Sequence, residues 1–163
     1  MRMDRNQARG FARACLAGLA LLVASAAPGQ SQMPSPPDFL VTARSTYDFA
    51  ETVRRIKGAI EEQNLMVIQE IDPQQMLRMV GVKTAGMRQI LFFHPRYMKR
   101  ILEGNLNAAL EPPLKIAVME TADGRVMVRH FDLEKEFGRY PGLEKLGREL
   151  AGVVDAIVAS VTG

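Results

Sequence analysis

Cysteine is almost absent from this chain: Cys15 is the only one. It falls in a segment expected to be removed, so the mature protein has no disulfide and no thiol chemistry and must rest on its hydrophobic core. Serine is scarce where it would matter. Beyond residue 37 only Ser45 and Ser160 remain, and with no Gly-x-Ser-x-Gly pattern nucleophilic hydrolysis has no candidate. Histidine occurs only as His94 and His130, too few for a zinc site without carboxylates. No His-Glu-x-x-His pattern and no Gly-rich phosphate loop is present.

A basic excess is also missing, although the chain as a whole carries 21 basic and 18 acidic residues. Residues 1–26 hold Arg2, Arg5, Arg9 and Arg13 against Asp4 alone, which leaves 17 of each sign in the remainder. That balance gives no compositional case for binding nucleic acid or an anionic membrane. Residues 1–26 read as a secretory signal peptide: a positive start, the apolar run 15–24, and small residues Ala24-Ser25-Ala26 at the cleavage position. The run is too short to span a bilayer comfortably. No cysteine follows it to carry a lipid, and no paired arginines mark twin-arginine export. A periplasmic or secreted protein without a stable membrane anchor is expected. Residues 27–37, rich in Pro, Ser and Gln, read as an extended tether. Residues 38–163 are then one domain, large enough to bury a core.

Hydrophobic periodicity orders that domain. Residues 39–45 read as a strand. Asp48 with Glu51 marks a helix start, and Phe49, Val53, Ile56 and Ile60 carry the helix to about residue 63. Residues 65–71 form a second strand. Asp72-Pro73 opens a short helix ending at Gly81. Residues 88–93 form a third strand, apolar on both faces (Ile90 and Phe92; Leu91 and Phe93) and therefore expected at the centre of the sheet. A helix over 96–103 follows. Strands 114–121 and 125–131 are joined by Asp123-Gly124, a hairpin signal. After a polar link, Pro141 is expected to open a long last helix with Leu143, Leu146, Leu150, Val153, Ile157 and Val161 as its apolar stripe, Glu144 and Arg148 paired outside, and Gly147 and Gly152 permitting close approach to the sheet. The expected class is α+β: a two-layer sandwich of helices on a mixed or antiparallel five-stranded sheet.

From Tyr47 onward, the helix TYDFAETVRRIKGAIEEQN, the turn LMVIQEIDPQQM, the segment ILFFHPRYMKRILEGNLNAALEPPLKIAVME and the hairpin ADGRVMVRHF, in this order, resemble the Domain of Unknown Function 302 family. The resemblance covers nearly the whole mature domain. It implies an α+β two-layer fold, often a homodimer, and no agreed activity. It also implies Gly-Asn-Pro after the third strand, whereas this chain reads Phe93-His94-Pro95. An imidazole stands where an amide is implied.

Three functional readings follow. His94 and His130 each end an apolar strand face and adjoin an arginine, Arg96 and Arg129, with Tyr97 and Met98 following His94. An imidazole on an apolar wall beside cations that can pair with propionates suits a non-covalent b-type haem. His94 would be its axial metal ligand, His130 a distal or supporting group, and gas or peroxide chemistry its activity. No Cys-x-x-Cys-His permits covalent attachment. A histidine before proline at a strand end is also a common structural hydrogen-bonder, and both readings stand on the sequence. Copper is the second reading, through His94 with Met87 and Met98, although most of the domain's seven methionines fall at core positions. The third is a cofactor-free interaction module, with an apolar strand and the long helix forming a homodimer or partner face.

Overall fold

A computed structural model describes residues 36–163. The expected signal peptide (1–26) and most of the expected tether (27–37) lie outside the described residues. The element order is β1 (Leu40–Arg44), α1 (Phe49–Glu62), β2 (Met66–Ile71), α2 (Pro73–Met79), β3 (Met87–Phe93), α3 (Pro95–Gly104), a 3-10 turn (Leu106–Leu110), β4 (Leu114–Glu120), β5 (Val126–Phe131), α4 (Leu133–Gly138) and α5 (Glu144–Thr162). The fold is α+β, as expected, and all five strands pair antiparallel in the order β1-β5-β4-β3-β2.

The local signals work through identifiable bonds. Asp48 caps α1 by accepting the Glu51 N–H at 2.8 Å, while the Glu51 carboxylate turns to Arg54 and Arg55. Asp72 caps α2 in the same way, 2.8 Å from the Gln75 nitrogen, with Pro73 in the first turn. Gly81 and Gly124 adopt φ of 79° and 78°, which closes the turns after α2 and between β4 and β5 at no steric penalty.

Strand alternation sends one set of side chains to a helix-covered face. Ile90 and Phe92 of β3, Ile116 and Val118 of β4 and Val128 of β5 are fully buried there. Above them lie Ile56 and Ile60 of α1 and Leu150, Ile157 and Val161 of α5. Burial of each such side chain contributes about 1.5–3 kcal/mol. On the opposite face, among the described residues, Met87, Gln89 and Leu91 of β3 and Ala117 and Met119 of β4 stay half-exposed.

The structure corrects several sequence expectations. The central strand is β4, and β3 lies one strand in from the β2 edge. Its outward Leu91 is only partly covered, opposite Lys115. The last helix begins at Glu144 and not at Pro141, because Gly142 has φ of 92°, a conformation no helix accommodates. The Glu144 carboxylate accepts the Gly142 N–H at 3.1 Å and so closes that turn. The supposed polar link contains α4, capped by Asp132 on the Lys135 nitrogen at 3.2 Å and anchored by buried Leu133 and Phe137. Gly147 does permit a close approach, but to α4 and not to the sheet. A Cβ there would lie 2.9 Å from the Leu133 carbonyl oxygen, whereas one at Gly152 would meet nothing within 4 Å.

Candidate functional site

His94 is the N-cap of α3. Its Nδ1 accepts the Arg96 N–H at 3.1 Å, the role that asparagine oxygens also fill at helix starts. The imidazole thus does at this helix start the work that an amide oxygen can do. The bond also fixes the ring's chemistry. With Nδ1 accepting, the neutral ring carries its proton on Nε2, which is then a donor and not a lone pair. Ligating iron through Nε2 would move that proton to Nδ1 and give up the cap.

The residues around His94 are turned to structure. Tyr97 is buried, its ring 6.3 Å from that of Phe93. Arg96 is exposed, its guanidinium 4.7 Å from the Tyr97 ring centroid, and it donates to the Gln63 carbonyl at 3.3 Å. Met98 packs half-buried on the core. Met87 begins β3 while His94 follows its end, so the two are roughly 20 Å apart at the extended rise per residue.

His130 belongs to a different place. It lies in the cross-sheet row Val41, His130, Ile116, Ile90 on the helix-covered face. His94 is four residues beyond Ile90 and two strands away, so the two histidines are roughly 15 Å apart or more at strand spacing. Arg129 pairs with Thr42 and Ala117 and faces the other side of the sheet. The structure therefore groups His94, Arg96 and Tyr97 at the start of α3 and does not bring Arg129 and His130 to them.

His130 is 7 % exposed. Its Nδ1 is 2.9 Å from the Phe131 carbonyl oxygen. A carbonyl can only accept, so Nδ1 bears the proton and Nε2 presents a lone pair in the neutral ring. That Nε2 is buried and has no hydrogen-bond partner among the described residues, a condition that costs about 1–3 kcal/mol when left unrelieved. His130 is among the residues lining a cavity of about 180 Å³, with Leu110, Pro113, Leu114, Leu133, Phe137 and Val154. Metal-bound imidazoles share this arrangement, but among the described residues no group of three metal-capable side chains surrounds it.

Two carboxyl groups, Glu111 and Glu136, also line the cavity. They hydrogen-bond to each other. Burial first, and then the adjoining Glu111, push Glu136 up from 4.5 to about 7. Burial also opposes ionisation of Glu111. There, however, the hydrogen bonds from Glu136 and Tyr140 and the charges of Arg139 and Lys115 prevail and hold it below the usual carboxylate range. The pair therefore shares one proton near neutral pH, as adjoining carboxyls do. Arg139 reaches both, 2.5 Å from Glu136 and 3.4 Å from Glu111, and the Tyr140 hydroxyl donates to Glu111. Glu136 and Phe131 also line a groove of about 400 Å³ with Phe39, Lys135 and Arg139. The sequence reading missed both carboxylates. They stand 25 positions apart in the chain, and no local spacing marks them.

Against known proteins, the family model described as domain of unknown function DUF302 matches residues 41–161. The crystal structure of an uncharacterized conserved protein DUF302 from Bacillus stearothermophilus is similar at a TM-score of 0.71 and 17% identity, covering 77% of this chain and 99% of the other. At that identity the likeness is one of fold. No curated protein matches.

Proposed function

The chain belongs to the DUF302 family of domains of unknown function, and from that premise we propose that it is an exported small-ligand-binding protein whose site is the cavity at His130. One observation carries the reading: a partly apolar cavity brings the buried imidazole of His130 and a proton-sharing carboxyl pair together in its lining. Export rests on the composition of residues 1–26. Ligand-observed NMR with a library of small fragments tests the site. Saturable binding that is lost in His130→Leu supports it. Fragments that bind equally to both proteins refute it.

Haem on His94 has weaker support, because the cap occupies Nδ1 and leaves no lone pair on Nε2. The His130 cavity, at about 180 Å³, is below the roughly 300–1,000 Å³ of sites for drug-sized ligands. An absorption spectrum after haemin addition decides between the sites. Wild type and His94→Ala are expected to match, and a Soret band lost only in the variant would restore the haem reading.

A homodimer is favoured by a separate observation. Helix α2 buries none of its residues, Met76, Met79 and Val80 are 61%, 83% and 73% exposed, and Ile68 of the edge strand β2 is exposed as well. Exposed apolar side chains of this kind suit burial against a second copy of the chain.

A further inference from the structure

We propose that Met87, Met119 and Met127 form a binding site for one soft monovalent metal ion, Cu(I) by chemical class, held through their thioether sulfurs on the sheet face opposite the core. This site is separate from the His130 cavity and does not depend on it.

Strand register carries the inference. Met87 of β3 pairs with Met119 of β4, and Met119 pairs with Met127 of β5. Three methionines thus stand side by side in one cross-sheet row. Alternation puts them on one face. Ile90, Val118 and Val128 are fully buried on the core side, each an odd number of positions from its methionine, so Met87, Met119 and Met127 point the other way. Directly opposed Cβ atoms lie roughly 4.5–5.5 Å apart. Met119 is therefore next to both neighbours, and Met87 and Met127 are roughly 10 Å apart across it. Methionine is unbranched and turns about three side-chain bonds, so the outer two sulfurs can lean inward to meet the third above the middle strand. The sequence reading joined Met87 to His94 and Met98; the register joins it to Met119 and Met127.

Burial argues against a packing role. Methionine most often fills gaps in a core, and Met98 does so here. Met87, Met119 and Met127 are half-exposed. Among the described residues they belong neither to the buried core nor to the side chains packed against it. An ion can reach the row from solvent.

Donor chemistry selects the metal. Thioethers are soft, neutral ligands that suit Cu(I). Calcium and magnesium take oxygen ligands, carboxylates foremost, and zinc takes thiolate, imidazole or carboxylate. The row holds none of these. Arg44 ends it opposite Met127, and the next row reads Thr42, Arg129, Ala117 and Gln89. Glu120 follows Met119 in the chain but alternates to the other face and accepts the Gly86 N–H at 3.2 Å. The exposed Arg44 repels a divalent ion about twice as strongly as a monovalent one. No thiol competes, since residues 36–163 contain no cysteine.

The test is a titration of the purified protein carrying ¹³C at its methionine ε-methyl groups. Ag(I) serves as the redox-inert probe, followed by Cu(I) under ascorbate without oxygen. One ion per chain is expected, with the methyl resonances of Met87, Met119 and Met127 shifting together and those of Met76 and Met79 staying in place. The triple variant Met87→Leu/Met119→Leu/Met127→Leu should lose binding, and Met119→Leu alone should weaken it roughly ten- to a hundredfold. Thioethers carry no proton, so the affinity should hold between about pH 7.5 and about pH 5.5, where a histidine site would weaken. The methyl shifts are read on wild type, so the proposal stays falsifiable if the leucine variants do not fold. Shifts confined to other methionines, unchanged affinity in the triple variant, affinity that falls on acidification, or no saturable binding would each overturn it.

Discussion

Gly147 is the position where one added methyl group tests the packing that shapes the cavity. Two opposed effects follow from Gly147→Ala. Alanine is intrinsically better in a helix by about 0.8–1.0 kcal/mol. Its Cβ, however, would lie 2.9 Å from the Leu133 carbonyl oxygen, 3.0 Å from the Phe137 Cβ and 3.5 Å from the Glu134 Cα. Two of those three contacts are backbone and cannot rotate away, so α4 must shift. Overpacking of this kind costs about 1–3 kcal/mol. The expected net effect is a loss of up to about 2 kcal/mol. Gly152 supplies the control on the same helix: nothing lies within 4 Å of its added Cβ, so Gly152→Ala should gain about 0.5–1 kcal/mol. Urea unfolding followed by far-UV circular dichroism reads both, as opposite shifts in midpoint at unchanged slope. Because α4 carries Leu133, Glu136 and Phe137 of the cavity wall, Gly147→Ala should also weaken ligand binding and Gly152→Ala should not. Equal stabilisation by both substitutions would refute the close α4–α5 contact and the cavity shape that depends on it.

Three further outcomes are expected. His94→Ala should lose about 1 kcal/mol in urea unfolding as the α3 cap disappears, and His94→Asn should retain most of it because its oxygen can accept the same N–H. Equal losses in the two variants would show that the cap is not the role of His94. The raised Glu136 value, about 7 in the folded state against 4.5 ordinarily, sets a sign for pH: the folded protein binds the extra proton, so this group favours folding most below about pH 4.5 and loses that contribution as pH rises through 7. Glu136→Gln should flatten that part of the stability profile, and an unchanged slope between pH 5 and 7 (a window of roughly the two pKa values) would contradict the shared proton. Light scattering after size exclusion should give a dimer for wild type and a monomer for Met79→Glu. A wild-type monomer would leave the α2 patch without a partner of its own kind.

All five strands were readable in the sequence, because two-residue alternation and strong punctuation, Asp72-Pro73 and Asp123-Gly124, coincide with their ends. Strand order was harder. The two apolar faces of β3 suggested a central position, yet Phe93 owes its burial to contact with Tyr97 at the start of α3 and not to a second layer over the sheet. Helix α4 was hidden because it is six residues long and shows only Leu133 and Phe137 as an apolar pair, although Asp132 was a legible cap. The site divides in the same way. His130 could be chosen from the chain as one of two imidazoles, but its tautomer depends on the Phe131 carbonyl. The Glu111–Glu136 pair depends on α4 folding back toward the segment before β4. The departure at His94 drew attention to chemistry where the structure shows a hydrogen bond that either side chain can make.

The place of β1 in the sheet bears on how the chain folds. Among the described residues β1 is an edge strand that pairs only with β5, Leu40 opposite Phe131 and Arg44 opposite Met127, so its partners lie more than eighty residues downstream. Contacts of such separation form late, since the intervening chain must first be closed into a loop. A chain that emerges N-terminus first therefore keeps its first strand unpaired until nearly the whole domain has followed. The edge of the sheet is then completed last, by the strand that comes first in the chain.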